Sequence, residues 1–137
     1  MTTLNNQGGF GTLGYNATAI TTLNNSAGTV NCGRSITTIN SSAVTRCTLA
    51  SSITTANALK GSILYFNSTG NITTYNGYAG SFYSAAEATQ ATAAGATVTT
   101  FNLYGDARIM LYGQGVTQTY TTLNAFGRSS EMAPVGE

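Results

Sequence analysis

A five-residue cassette, apolar-Thr-Thr-apolar-Asn, recurs through the chain and constrains its fold more than any other feature. Ile, Val and Thr suit the pleated surface of a strand, whereas Asn tolerates positive φ and lets the chain turn. Each cassette therefore predicts one short strand that ends in a turn. Successive cassettes start 19, 16, 17, 19, 26 and 22 residues apart, so the repeat is irregular. The cassettes are Met1–Asn5, Ile20–Asn24, Ile36–Asn40, Ile53–Asn57, Ile72–Asn76, Val98–Asn102 and Tyr120–Asn124.

The cassette alone leaves the sheet architecture open. Its two apolar positions would face opposite sides of an ideal strand, which fits burial on both faces or a bend at the second Thr. The spacing in the first half is typical of a β-solenoid. Asn76-Gly77 is a strong hairpin signal, and turns at Gly105-Asp106 and at Gly113-Gln114-Gly115 predict a three-stranded meander. We therefore predict an all-β fold, an antiparallel β-sandwich or barrel built from repeated strand-turn units, with a β-solenoid as the alternative.

One domain is expected from 137 residues, flanked by two extended segments. Residues 1–16 are Gly-rich and predict an N-terminal arm, residues 17–128 form the β domain, and residues 129–137 form a C-terminal tail. Ser84 and Glu87 have the spacing of a capping box, and good helix formers follow up to Gly95. The sequence thus predicts one short helix near residues 85–94.

Charge is scarce in this sequence. Charged residues make up 7%, against about a quarter in ordinary soluble domains, and the net charge is +1. Hydrophobic content is ordinary at 42%. A surface of hydroxyls and amides has little charge repulsion to keep copies apart. The composition therefore favours a chain that packs against other subunits, as a homo-oligomer or a self-assembling protein.

Two classes of partner are not expected. The five cations are scattered singly, so no basic stripe for nucleic acid exists. The longest apolar runs are too short to span a bilayer. Residues 1–14 lack the cationic and apolar regions of a secretory signal, so we expect synthesis in a host cytoplasm without general export. The cations are Arg34, Arg46, Lys60, Arg108 and Arg128.

The residue types that carry catalysis are few. Histidine is absent, and the four acids form no paired motif. A nucleophilic hydroxyl needs an activating base, and only Lys60, near Ser62, could serve. We therefore expect a non-enzymatic protein with no catalytic, cofactor-binding or metal-binding residues.

Two cysteines occupy nearly the same place in consecutive repeats. Cys32 lies twelve residues after Ile20, and Cys47 lies eleven after Ile36. If consecutive units lie side by side, the pair is within reach of a disulfide. The alternative is two buried thiols that act as small apolar residues.

Asparagine and the aromatic residues supply two further kinds of candidate site. Five asparagines lie in Asn-x-Ser/Thr sequons, which would be glycosylated only in an exported chain. The aromatic residues between 65 and 104 indicate either the core of the sheet or a stacking platform for sugars or a partner. The sequons lie at Asn16, Asn24, Asn40, Asn67 and Asn71.

An uncharged Thr/Asn/Gly-rich β chain without a catalytic set, flanked by extended arms, resembles the capsid decoration (cement) proteins and related virion accessory proteins of tailed phages. The resemblance is one of style and composition. It implies a structural subunit of the virion that stabilises the shell through arm and sheet-edge contacts. Its partners would be copies of itself, a major capsid protein or another virion protein. The arm residues expected at the interface are Met1, Leu4, Phe10, Leu13, Tyr15, Met132, Pro134 and Val135.

Two other functions remain open at this point. One is an extracellular, pilus-like filament subunit whose N-terminal arm completes the sheet of the next subunit. The other is a carbohydrate-binding adhesin module with Tyr75, Tyr78 and Tyr83 exposed.

Overall fold

The computed structural model describes residues 3–13, 20–49, 52–68, 70–83, 97–110, 119–127 and 130–132. These residues form a parallel β-solenoid, in which every strand pairing is parallel. The strands are β1 (Thr3–Leu13), β2 (Ile20–Cys32), β3 (Ile36–Ser41), β4 (Val44–Leu49), β5 (Ile53–Ala58), β6 (Ile63–Ser68), β7 (Asn71–Tyr78), β8 (Ser81–Tyr83), β9 (Thr97–Tyr104), β10 (Arg108–Met110), β11 (Thr119–Phe126) and β12 (Ser130–Met132).

The strands stack as two connected sheets. The cassette sheet has the order β1-β2-β3-β5-β7-β9-β11, and the second sheet has the order β1-β2-β4-β6-β8-β10-β12. The long strands β1 and β2 run through both sheets, since the first half of β2 pairs with β3 and its second half with β4. Every cassette therefore lies in register above the one before it.

A bend at the first Thr lets both apolar cassette positions face the core. In β3, Ile36, Ile39 and Ser41 are buried while Thr37 is exposed. The register pairs Ile36 and Thr38 with their neighbours but omits Thr37, and the same position is omitted in the other cassette pairings that include it. The bend thus lies one residue earlier than the position considered from the sequence.

Aromatic rings fill the part of the core that lies between β6, β7, β8 and β9. Tyr75, Phe82 and Phe101 are fully buried, with ring centroids 5.2 to 5.5 Å apart in edge-to-face geometry. Phe66 joins them at 6.4 Å from Phe82. Such pairs add stabilisation beyond the area that they bury. Of the two interpretations of the aromatic cluster, the structure selects the core for these residues.

The predicted antiparallel sandwich or barrel is wrong, and so is the hairpin at Asn76-Gly77. Both residues lie inside β7. A Cβ at position 77 would come within 2.9 Å of the Tyr75 ring and 3.0 Å of Ala107, so glycine is there for close packing. A dipeptide that contains Gly indicates a point where the backbone is conformationally free or closely approached. It does not distinguish a turn that reverses the chain from a tightly packed position within a strand.

The predicted meander is also wrong. Gly105 and Asp106 do form a turn, but it carries the chain from β9 in the cassette sheet to β10 in the second sheet. β9 pairs with β7, and β10 pairs with β8, so β9 and β10 are not paired with each other. The alternative drawn from the cassette spacing, a β-solenoid, is the fold observed.

Some expectations fall partly or wholly outside the described residues. The helix near residues 85–94 lies outside them, as do the glycines at 113–115. Residues 3–13 of the expected arm form β1, which pairs along its length with β2, and residues 130–132 of the expected tail form β12. In the part of the chain that the structure describes, no helix could cross a bilayer.

Candidate functional site

The outward face of the cassette sheet is an ordered array of hydroxyls and amides. Since the core-facing positions are fixed by the bend, the two Thr and the Asn face outward in the cassettes that the structure describes in full. Stacking in register then aligns each of the three positions in a column along the solenoid axis. No strand of the cassette sheet carries a charged residue.

The Asn column is a continuous hydrogen-bonded ladder, which we call the asparagine ladder. Each Nδ2 group donates to the Oδ1 atom of the Asn one layer earlier, over 2.8 to 2.9 Å. Amide ladders of this kind satisfy donors and acceptors along the axis of a stacked sheet. Its members are Asn5, Asn24, Asn40, Asn57, Asn76, Asn102 and Asn124.

The ladder has a direction. Asn5 only accepts within it, from Asn24, and Asn124 only donates within it, to Asn102. Among the described residues, the Nδ2 group of Asn5 and the Oδ1 atom of Asn124 therefore have no ladder partner. One end of the solenoid presents an amide donor, and the other end presents an amide acceptor.

Both edges of the cassette sheet are long and uncharged. In the described residues β1 pairs only with β2, and β11 pairs only with β9. Native edge strands are usually protected by charge, proline or shortness. Neither β1, with 11 residues, nor β11, with 8, has a charged residue or a proline. Leu4 and Leu123 sit at these edges, partly buried against the core.

A second polar network lies beside the ladder in the first layers. Asn25 is buried, and its Nδ2 group donates to the carbonyl of Val44 at 2.8 Å and to Oγ1 of Thr45 at 3.1 Å. Its Oδ1 atom accepts from Asn6 at 2.8 Å. A buried amide with its partners in place fixes register, because a shift would leave it unpaired.

An aromatic column runs along the corner after the ladder. Tyr104 stacks on Tyr78 with centroids 5.0 Å apart, and Phe126 stacks on Tyr104 at 5.1 Å, with planes within 9°. Phe126, at the β11 edge, is 51% exposed. Its outer face is therefore available to a further flat group.

A groove of about 510 Å³ follows the opposite corner of the cassette sheet. Hydroxyls line it, and no titratable side chain does. Part of the lining is already engaged, since Oγ of Ser35 accepts from the amide of Ser52 at 3.0 Å and Oγ of Ser52 accepts from the amide of Asn71 at 3.3 Å. The groove offers shape and hydrogen bonds instead of reactive groups.

The expected interface residues are distributed over both edges. Leu4 is partly buried at the β1 edge, and Phe10 in the same strand is 71% exposed. Leu13 ends β1, and Met132 ends β12. Met1, Tyr15, Pro134 and Val135 lie outside the described residues.

The sequons differ in their surroundings. Asn24 and Asn40 are ladder members whose amides are engaged on both sides. Asn71 begins β7 and is exposed, and Asn67 lies in β6. Asn16 lies outside the described residues.

Cys32 and Cys47 are register partners in β2 and β4, as their spacing suggested. Both are buried and carry thiols. The hydrogen bond between the two side chains, together with burial, raises the pKa of the Cys47 thiol well above its usual value. A neutral, buried thiol is a poor nucleophile.

The candidate dyad of Lys60 and Ser62 is not assembled. Lys60 is exposed in the turn before β6, whereas Ser62 is buried and its Oγ atom has no hydrogen-bond partner. No cluster of three or more His, Cys, Asp or Glu residues occurs in the described ranges.

Tyr75 bears on the adhesin hypothesis. It is fully buried, so it is not part of any sugar platform, whereas Tyr78 is 44% exposed. The side chain of Tyr83 lies outside the described residues. Burial raises the pKa of Tyr75, and its hydroxyl has no hydrogen-bond partner.

Sequence reasoning missed the asparagine ladder. The fifth cassette residue was predicted to form a turn, and this is wrong, because every cassette Asn lies inside its strand. The signal for a ladder was that the same amide recurs at the same position in all the cassettes. A turn former could equally be Gly, Asp or Ser, whereas a side-chain ladder needs a group that both donates and accepts.

Comparisons with protein-family models, with curated proteins and with solved structures found no match to this chain.

Proposed function

We propose that this protein is a non-enzymatic structural subunit of a virus particle, a decoration protein that stabilises the shell through sheet-edge contacts. The observation that supports this most is the pair of long, uncharged edges at β1 and β11. An exposed strand edge is a template for adding another strand, because its N–H and C=O groups are unpaired.

The body between the edges suits a mechanical role. The ladder, the in-register cassettes and the aromatic core link each layer to the next along the axis. In a repeat fold of this kind each layer contacts only its neighbours, so rigidity is transmitted along the stack. The described residues offer contact surface and hydrogen-bonding groups in place of an assembled reactive centre.

The test is to locate the protein in virus particles purified from the source of this sequence. An antibody against the chain, used in immunogold microscopy, and quantitative mass spectrometry should find it at a fixed ratio to the major capsid protein. An abundant non-structural protein of the same source controls for trapping. Particles that lack the chain while the surrounding material contains it would overturn the proposal.

The filament subunit is the second candidate, and a specific observation favours it. Both edge strands of the cassette sheet carry the same cassette as the inner layers. The location experiment separates the two functions, because filament subunits would be found on extracellular fibres and not at a fixed ratio on particles.

A further inference from the structure

The two edges of the cassette sheet are complementary to each other, and we propose that their occupant is a second copy of this chain, stacked head to tail. The β1 edge of one copy would pair in parallel with the β11 edge of the next. This inference deepens the proposed function by naming the partner of the edges, and it rests on that function only in taking the edges as contact sites.

The first support is that, among the described residues, no capping layer covers β1 or β11. Solenoids normally end in repeats with a polar outer face, which keep the ends soluble. Here Leu4 occupies in β1 the core position that Leu123 occupies in β11. Both leucines are only partly buried, so a copy stacked in register would complete the burial of both side chains.

The second support is the direction of the asparagine ladder. Among the described residues, the Nδ2 donor of Asn5 at one edge and the Oδ1 acceptor of Asn124 at the other have no ladder partner. In a head-to-tail stack these two atoms form the next bond of the ladder without any change in either rotamer. A head-to-head stack would instead oppose two donors or two acceptors.

The third support is the lack of protection on either edge of the cassette sheet. The described strands β1 and β11 contain no charge and no proline, the devices that usually prevent edge pairing. The column of stacked rings also ends at this edge, on the half-exposed Phe126.

The second sheet contributes less to the contact. Its last strand, β12, holds Glu131 at the register position that Ile109 and Phe82 occupy in the preceding layers. A charge at such an edge position opposes pairing. The residue that would stand opposite is Gly11, which is in register with the same column. The cassette sheet therefore provides the docking energy.

A head-to-tail contact is heterologous, so it generates an open filament unless a rotation closes it into a ring. The probe is the purified 137-residue chain itself, followed by analytical ultracentrifugation and negative-stain microscopy over a concentration series. We expect unbranched rods of one solenoid width that lengthen with concentration. A chain that remains monomeric at every concentration overturns the inference.

Two edge variants test the geometry. Asn5→Asp removes the outward donor and places a carboxylate opposite the Oδ1 atom of Asn124, while the bond accepted from Asn24 is kept. Ala125→Lys places a charge on the exposed β11 edge at a position in register with the buried Leu103. Each variant should raise the critical concentration about tenfold or more, equivalent to about 1.4 kcal/mol per contact.

Each variant retains one intact edge, and the two intact edges are different. Mixed in equal amounts at the critical concentration of the unmodified chain, the variants should form a one-to-one dimer and nothing longer. At that concentration neither variant should assemble alone. Assembly of either variant into rods at that concentration, or failure of the mixture to dimerise although both variants are folded by circular dichroism, contradicts head-to-tail stacking.

Thr37→Asp is the matched control. It makes the same change in net charge as Asn5→Asp, at an exposed position of an inner layer that the register omits. It should assemble as the unmodified chain does. Loss of assembly in this control would show that net charge and not the edge governs association.

The assembly experiment and the location experiment test self-stacking and the virion role separately. A chain that stays monomeric but occurs at a fixed ratio on virus particles would refute self-stacking and leave the structural role in place. Rods formed by a chain that is absent from particles would support self-stacking and refute the virion role.

Discussion

The Nδ2 group of Asn76 donates to Oδ1 of Asn57 at 2.9 Å, and Asn57 in turn donates to Asn40 at 2.8 Å. The three residues lie on β7, β5 and β3, which are adjacent in the cassette sheet although 17 to 19 residues separate them in sequence. One amide thus serves two neighbours. Cassettes that are irregularly spaced in the sequence therefore form regular layers in the structure, and the ladder connects these layers.

Removing an inner rung should cost more than removing an end rung. Asn57→Ala breaks two ladder bonds and leaves a donor and an acceptor unpaired, so we expect the free energy of unfolding to fall by about 1 to 2 kcal/mol. Asn124→Ala breaks one bond at an exposed edge, and we expect a loss of about 0.5 kcal/mol.

Urea denaturation monitored by circular dichroism measures both losses, with Thr54→Ala as the control. Thr54 is exposed on the same strand as Asn57 and makes no ladder bond, so its loss should stay within about 0.5 kcal/mol. Equal effects of Asn57→Ala and Thr54→Ala would mean that the ladder adds no stability.

The packing around Gly77 predicts a second difference. A methyl group there would press on the Tyr75 ring and on Ala107, so Gly77→Ala should destabilise the fold by about 1 to 3 kcal/mol. Gly11→Ala is the matched control, because its nearest neighbour would be a Val30 methyl at an ordinary 3.7 Å. If thermal unfolding shows the two variants to be equally stable, Gly77 is not needed for packing.

Tyr75 predicts a loss of stability at alkaline pH. Burial raises its pKa, so the folded state holds the phenolic proton more tightly than the unfolded state. The stability that comes from keeping this proton is fully present below the unfolded pKa of about 10. It is lost as the pH rises through the raised pKa of the folded state. The slope is about 1.4 kcal/mol per pH unit.

Tyr75→Phe isolates this effect. It keeps the ring contacts with Phe82 and Phe101 and removes a buried hydroxyl that has no partner. The variant should gain about 1 kcal/mol at neutral pH and lose stability less steeply above pH 10. Denaturation curves at pH 7 and at pH 11 measure both, and parallel pH profiles for the two proteins would contradict this account of Tyr75.

The paired cysteines should not react with a thiol reagent while the protein is folded. Both are buried, and the raised pKa of Cys47 keeps that thiol protonated. A colorimetric thiol assay should detect no fast reaction in buffer and two thiols per chain in denaturant. Two thiols that react at once in buffer would place the pair at an accessible surface, and none in denaturant would indicate a disulfide.

Local structure was predictable from the sequence, whereas strand direction was not. The cassettes at residues 20–24 and 36–40 were placed on strands, and the structure confirms this. The direction of pairing depends on whether each turn reverses the chain or only leads it from one sheet to the other. Gly77 lies inside a strand and Gly105 in a turn between the two sheets, yet both gave hairpin signals, because such signals describe the backbone at one point only.

The sequence feature that best indicates a solenoid is that the same residue types recur at the same positions of every cassette. An antiparallel pairing would reverse the order of positions and place the first position of one cassette opposite the fifth of the next. A parallel stack places Ile36 on Ile53 and Asn40 on Asn57. Seven repeats with amides at one position are therefore better explained by stacking. The donor and acceptor at Asn5 and Asn124 follow only from rotamers, which no sequence pattern supplies.

If the cassettes stack in order along one axis, distances between spin labels on the exposed first Thr of successive cassettes must increase with the number of layers between them. With one label at Thr21 and the second at Thr73, Thr99 or Thr121, the separation spans three, four or five layers. At about 4.8 Å per layer, we expect backbone separations of about 14, 19 and 24 Å. Separations that fail to increase in this order would contradict the stacked solenoid.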